Sequence, residues 1–257
     1  MSSWKVIAAA VRGPDHEADR LPCQDAYSHA EAGDRLVAVV SDGAGSARFS
    51  ETGAKVLCHE VVAALSTCDK ALDGGHEPWR PAVEQAVERA RAALEARIPE
   101  EIALGAPVTL ADYHATLVGV VAAPNGGFFF HIGDGTAAAV SEIGDWAGCR
   151  LSLPENGEFA NETYFFTQEI WRDHLRFTDF GASPLIVMVS DGAMPFTVAE
   201  RFAGLEGRFM APVTRYLEGA SPEDGAKALA GTLDRADARR ISGDDKTLLW
   251  ARLIDPQ

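Results

Sequence analysis

Three apolar runs in this chain close on the same dipeptide. Val39-Val40-Ser41-Asp42-Gly43, His131-Ile132-Gly133-Asp134-Gly135 and Val187-Met188-Val189-Ser190-Asp191-Gly192 each lead apolar residues into Asp-Gly. One Asp-Gly is an ordinary turn. Three in the same context point to strand ends that a sheet sandwich can bring together, so that these aspartates could converge on one acidic cavity. Gly243-Asp244-Asp245-Lys246-Thr247 opens the last apolar run instead of closing one, and Cys23-Gln24-Asp25 follows the first.

The runs Val6–Val11, Leu36–Val40, Ala115–Ala123, Gly127–Ile132, Leu185–Val189 and Lys246–Leu253, bounded by Gly, Asp or Pro, predict buried strands. Between Thr52 and Leu65 the residues Ala54, Leu57, Cys58, Val61, Val62 and Leu65 recur at helical steps. Val83, Ala86, Val87, Ala90, Leu94 and Ile98 repeat the pattern, so two consecutive amphipathic helices follow the second strand. A third helical region has Ser221 as N-cap and Pro222 at N1 and leads into Ala226–Ala236. Strands grouped between helices predict an α+β layered sandwich and not a βαβ repeat. Asp73–Pro78 and Pro99–Asp112 read as loops that separate no self-sufficient cores, which predicts one domain over 1–257.

With 23 basic against 38 acidic side chains the net charge is −15, a surface that repels phosphate backbones and anionic lipid. Neither nucleic acid nor a membrane is an expected partner. An apolar share of 47% supplies a packed core and excludes a disordered chain. Cys23, Cys58, Cys68 and Cys149 are scattered with no C-x-x-C pair, which fits reduced thiols in a cytosol better than a disulfide framework or a zinc site; Cys58 reads as core. The N-terminal apolar stretch is too short for a signal region, and Leu117–Pro124 falls well short of the roughly 20 residues of a membrane span. The expected location is cytoplasmic.

Four or five carboxylates in one cavity repel one another unless divalent cations sit among them. Oxygen ligands without His or Cys favour Mg²⁺ or Mn²⁺ over zinc. Two such ions bridged by one carboxylate hold and activate a water for in-line attack on a phosphoryl group. A haloacid-dehalogenase-type phosphatase would need an Asp-x-Asp pair near the N-terminus, which is absent, and Asp42-Gly43-Ala44-Gly45-Ser46-Ala47 lacks the spacing and lysine of a P-loop.

The order and wording of these motifs, from about Val6 to Leu253, resemble the metal-dependent serine/threonine protein phosphatases of type 2C in their compact bacterial form. The resemblance implies a four-layer α-β-β-α sandwich of two antiparallel sheets flanked by helix pairs. It implies hydrolysis of phosphoserine or phosphothreonine in proteins by a metal-activated water at a binuclear Mg²⁺ or Mn²⁺ centre, without a phosphoenzyme. On that pattern Asp42 bridges two ions, the Gly43 carbonyl lies on the second, and Asp191 and Asp244 hold the first. Asp25, which ends the family's R-x-x-x-x-D element, serves the second ion, and Asp134 attends a third, looser one. Arg20 matches the phosphate-gripping arginine, whose fork suits phosphate oxygens. The implied partner is a phosphorylated protein, the target of a Ser/Thr kinase. Pro154–Thr163 looks like the corresponding segment of a bacterial subgroup.

Three departures bear on the chemistry. Gln24 stands where the family often has Glu, and Pro195 ends its Asp-Gly-x-x-Asp, removing a ligand from the third site. Ala44 stands where animal members carry a histidine as leaving-group acid, which leaves that task to a metal-bound water or to another group such as His16. Otherwise His16 reads as a surface loop residue, Arg20 as a solvated arginine, one of Asp244 and Asp245 as an exposed loop charge, with Asp244 the ligand, and the five tryptophans as core or loop anchors. The competing reading is a catalytically silent relative that uses the acidic pocket to bind a partner or signal. The intact Asp42, Asp191 and Asp244 argue against it.

Overall fold

The computed structural model describes residues 2–72, 75–105, 107–155 and 163–254. Residues 156–162 of the subgroup-like segment, and Asp73 and Gly74 of the first expected loop, lie outside the described residues. Among the described residues ten strands occur, mostly in groups set between helices. They are β1 (Ser3–Val11), β2 (Ala26–Ala32), β3 (Arg35–Ser41), β4 (Leu117–Ala123), β5 (Gly126–Ile132), β6 (Thr136–Val140), β7 (Arg150–Ser152), β8 (Arg176–Gly181), β9 (Leu185–Val189) and β10 (Lys246–Ile254). The helices are α1 (Pro14–Asp19), α2 (Ser50–Ser66), α3 (Arg80–Glu95), α4 (Ile98–Ala103), α5 (Met194–Thr197), α6 (Gly207–Gly219), α7 (Pro222–Leu233) and α8 (Ala236–Ile241). No helix among the described residues is long and apolar enough to cross a membrane.

The strands form two five-stranded antiparallel sheets, ordered β1-β10-β9-β6-β7 and β2-β3-β4-β5-β8. Side chains alternate between the faces of a strand, and here both faces are covered. Leu36, Ala38 and Val40 of β3 meet Ile186, Met188, Leu249 and Ala251 between the sheets. Val37 and Val39 face outward onto Leu57, Val61, Val83 and Val87 of α2 and α3. On the other side Val187, Val189, Leu248 and Trp250 pack under Met210, Leu217, Leu229 and Leu233 of α6 and α7. The α-β-β-α sandwich follows, and double coverage is why the central strands read as unbroken apolar runs.

Several local expectations change. Pro99–Asp112 is not wholly loop, because α4 and a 3-10 turn at Leu110–Tyr113 occupy parts of it. Ile98 opens α4 instead of closing α3. Ser221 does cap α7, its hydroxyl accepting from the Asp224 N–H at 3.1 Å, but that helix stops at Leu233. Ala115 precedes β4 and pairs with Gly43 in an isolated bridge, which ties the end of β3 to the approach to β4.

Registers set where the strands end. Val189 pairs with Thr136 on one side and Leu248 on the other, so the turn before β6, the end of β9 and the start of β10 share one sheet edge. In the second sheet Val40 pairs with Val118, and Leu117 with Ile132, so the ends of β3 and β5 meet at the start of β4. The three Asp-Gly turns therefore face one another across the mouth of the sandwich.

Candidate metal centre

A cleft of about 410 Å³ opens at that mouth, lined by His16, Thr116, Phe165, the Asp42–Ser46 loop, Asp134, Thr163, Asp191 and Asp244. One carboxylate oxygen from each of Asp42, Asp134 and Asp191 lies within 4.8 Å of the other two. Main-chain bonds hold Asp42 at the end of β3. Its N–H donates to Thr116 Oγ1 at 3.0 Å, its carbonyl accepts from the Thr116 N–H at 2.8 Å, and Ser41 Oγ donates to the Thr116 carbonyl at 2.6 Å. Asp134 follows Gly133, whose φ of +102° lies in the region glycine adopts at no steric cost. Thr163 Oγ1 donates to Asp134 Oδ2 at 2.5 Å. Asp191 opens a short 3-10 turn pressed against the start of β10, where a Cβ on Gly192 would sit 2.0 Å from the Asp245 carbonyl oxygen.

Asp25 lies behind this group, 4% exposed, with Oδ2 accepting from Ser190 Oγ at 2.7 Å. Burial pushes its carboxyl up to about 7 against the pull of hydrogen bonds from Ser190 and Thr247. Asp42 is held well above the usual carboxylate range, first by burial and then by the charges of Asp25, Asp191 and Asp244. Burial likewise raises Asp191 and Asp134, with neighbouring carboxylates adding to it. Asp25 Oδ1, Asp134 Oδ1 and Asp191 Oδ1 are buried without a hydrogen-bond partner. Buried oxygens of this kind call for a proton or a cation. Hard oxygen donors at this spacing fit Mg²⁺ or Mn²⁺.

Of the residues expected at the site, Asp42, Gly43, Asp134, Asp191 and Asp244 line the cleft, and Asp25 stands against Asp42. Arg20 is not among them. It is the exposed C-cap of α1, at a φ of 60°, and no described residue hydrogen-bonds to its side chain. Asp245 is no exposed loop charge. Its Oδ1 accepts from the Gly13 N–H and its Oδ2 from the Gln24 N–H, both at 2.6 Å, so it fastens the segment after β1 to the start of β10. His16 belongs to α1 and faces the cleft instead of occupying a surface loop. Thr163, Ser190 and Asp245 support the carboxylates and escaped the sequence reading. For Ser190 and Asp245 a signal existed, since a polar residue at the very end of an apolar run has to bond to something once buried.

The sequence matches the protein phosphatase 2C family over residues 12–234. The chain belongs to that family. It is 29% identical over 265 residues to serine/threonine-protein phosphatase 3 of Escherichia coli strain K12, an alignment covering 97% of this chain and 99% of that one. Among solved structures the serine/threonine phosphatase of S. agalactiae superposes with a TM-score of 0.64 at 15% identity, covering 97% of this chain and 99% of the other. The catalytic domain of the serine/threonine protein phosphatase PstP, solved with two manganese ions, superposes at 0.60 with 18% identity, covering 99% and 100%. The expected sandwich is thus the protein phosphatase 2C fold, with this chain's carboxylates gathered at its mouth.

Proposed function

We propose that this protein phosphatase 2C family member removes phosphate from phosphoserine and phosphothreonine in proteins, using divalent Mg²⁺ or Mn²⁺ held by its aspartates, as a single catalytic domain over 1–257. The observation that carries the reading is the convergence of Asp42, Asp134 and Asp191 within 4.8 Å, with buried oxygens left unpartnered. In this reading Asp42, Asp191 and Asp244 hold one ion, and Asp42, Asp25 and the Gly43 carbonyl serve a second. Asp134 attends a third, which the exposed Pro195 does nothing to complete. Bound there, the cations lower the pKa of a water and draw charge from the phosphoryl oxygens.

The chain's own residues set the geometry around that chemistry. Ser190 fixes Asp25 behind Asp42, and Thr163 fixes Asp134, so the carboxylates would hold cations without reorganising. Phe165, stacked on His114 with ring centroids 4.8 Å apart, walls one side of the cleft. Arg20, exposed at the C-cap of α1 and not lining the cleft, is proposed as the phosphate-gripping residue on its place in the sequence alone. The substrate is a phosphoprotein, a reading supported by the name of the Escherichia coli relative, and we further propose that a Ser/Thr kinase makes it and that the two meet in the cytoplasm. A phosphothreonine peptide and a small aryl phosphate test it. Both are hydrolysed with Mn²⁺ or Mg²⁺ present and not in chelator, and failure on both with metal present would favour the catalytically silent alternative.

A further inference from the structure

Attack at phosphorus is half of a phosphoester hydrolysis. The departing serine or threonine oxygen leaves as a strong base unless a proton meets it, and a positioned acid typically contributes about 10²–10⁴-fold. The cleft is poor in proton donors. Its described charged side chains are the carboxylates of Asp42, Asp134, Asp191 and Asp244, with His16 the one basic group among them. Ala44, the residue after Asp42-Gly43, offers only a methyl group.

His16 is placed with more care than a solvated histidine requires. Its ring Nδ1 lies 2.8 Å from Asp245 Oδ2, and the side chains of the two are 13% and 1% exposed. The same carboxylate takes the N–H groups of Gly13, the N-cap of α1, and of Gln24, so the helix that carries His16 is anchored on both sides by Asp245. The Nδ1 contact is close, but its angle falls short of a hydrogen bond. The other ring nitrogen, Nε2, faces the cleft-lining loop, where a Cβ on Gly45 would sit 3.8 Å from it. The buried Asp245 carboxylate beside Nδ1 limits how the ring can turn, while Nε2 is left free toward the cleft.

We propose that His16 donates the proton to the leaving serine or threonine oxygen, and that Asp245 is its positioning residue. The proposal rests on the phosphatase reading above. As the bond from phosphorus to the side-chain oxygen breaks, its electron pair stays on that oxygen and takes the proton from Nε2 of the imidazolium. The attacking water's oxygen forms the new bond to phosphorus. Inorganic phosphate leaves carrying the water's protons, loses one to solvent, and solvent returns one to the neutral imidazole. The balance is phosphoester and water in, hydroxyl side chain and phosphate out.

The test compares leaving groups. Full-length wild type, His16→Gln, His16→Ala and Asp245→Asn are assayed with Mn²⁺ on a phosphothreonine peptide and on 4-nitrophenyl phosphate. Nitrophenolate departs without an acid, whereas the threonine oxygen needs one. The expected result is that the ratio of kcat on peptide to kcat on aryl phosphate falls about 100-fold in both His16 variants, and by a smaller factor in Asp245→Asn. Both rates scale with the folded fraction, so partial unfolding does not move the ratio. A ratio within threefold of wild type in both His16 variants, however far the two rates fall together, would overturn the proposal and leave His16 a structural or phosphate-contact residue. Wild type inactive on both substrates would instead overturn the phosphatase reading, and this proposal with it.

Discussion

Asp42→Asn separates function from stability, because the same carboxylate that the chemistry needs is a burden to the metal-free fold. Asp42 is raised by burial and by Asp25, Asp191 and Asp244, and Asp25 behind it by burial to about 7. Native carboxyls raised above their unfolded values bind more protons than the unfolded chain does. Their contribution is therefore fully present below about pH 4, the unfolded carboxylate value, and is lost as pH rises through the folded value, for Asp25 near 7. A carboxyl carried from 3.8 to about 7 corresponds to a cost on the order of 4 kcal/mol when it ionises in the fold. Replacing Asp42 removes that carboxyl's own cost of ionising in the fold, which burial and the charges of Asp25, Asp191 and Asp244 set. Each kcal/mol relieved raises the melting temperature of a chain of this size by about 2–4 °C.

Scanning calorimetry in chelator at pH 8 should find Asp42→Asn melting at or a few degrees above wild type. At pH 5 the gap should narrow, because Asp25, pushed up to about 7, takes its proton there and burial raises Asp42 in the same direction. Adding Mn²⁺ should reverse the order at pH 8. Wild type gains about 2.7 kcal/mol at a hundredfold excess over its dissociation constant, while the variant gains little and stays inactive. A variant melting well below metal-free wild type at pH 8 would mean that Asp42 serves as a structural turn or cap, and the shared-cavity reasoning would fall.

Three further outcomes follow from the same geometry. Arg20→Ala should raise KM more than it lowers kcat, since a phosphate clamp gives binding common to ground and transition states, and steady-state values within twofold of wild type on both would return it to the exposed surface it occupies. Gly192→Ala should destabilise the chain by more than about 1 kcal/mol and depress activity, because its Cβ would collide with the Asp245 carbonyl at 2.0 Å; an unchanged melting temperature would refute that contact. Leu57→Ala, at a fully buried position between α2 and the second sheet, should cost about 2–5 kcal/mol in urea denaturation, and a loss under 1 kcal/mol would contradict the packing described.

The parts of the fold legible in sequence are those buried on both faces. β3, β4, β9 and β10 carry unbroken apolar runs because one face meets the other sheet and the next meets helices. The strands β2, β7 and β8, which went unread, are all sheet edges. β2 alternates exposed and half-buried residues through Tyr27-Ser28-His29-Ala30-Glu31, and its main chain, not its side chains, supplies most of the pairing. β6 escaped for another reason, since Ala137-Ala138-Ala139 favours helix locally and is strand only because β7 and β9 pair on either side. α6 hides behind Pro212 in its interior and glycines at its ends. At the site, the Asp-Gly turns were readable because three independent strand ends said the same thing. His16 and Asp245 could each be singled out in the sequence, but their pairing could not, since it is a contact across 229 positions that no local pattern encodes.

Direct titration of Mn²⁺ into chelator-stripped protein tests the central claim, that the strand-end aspartates converge to hold catalytic cations. Calorimetry should show saturable binding of at least two ions to wild type, sharply weakened in Asp42→Asn and in Asp191→Asn, with phosphothreonine hydrolysis rising along the same isotherm. Equal Mn²⁺ binding by wild type and both variants, or undiminished hydrolysis by the stripped protein before any metal is added, would contradict it.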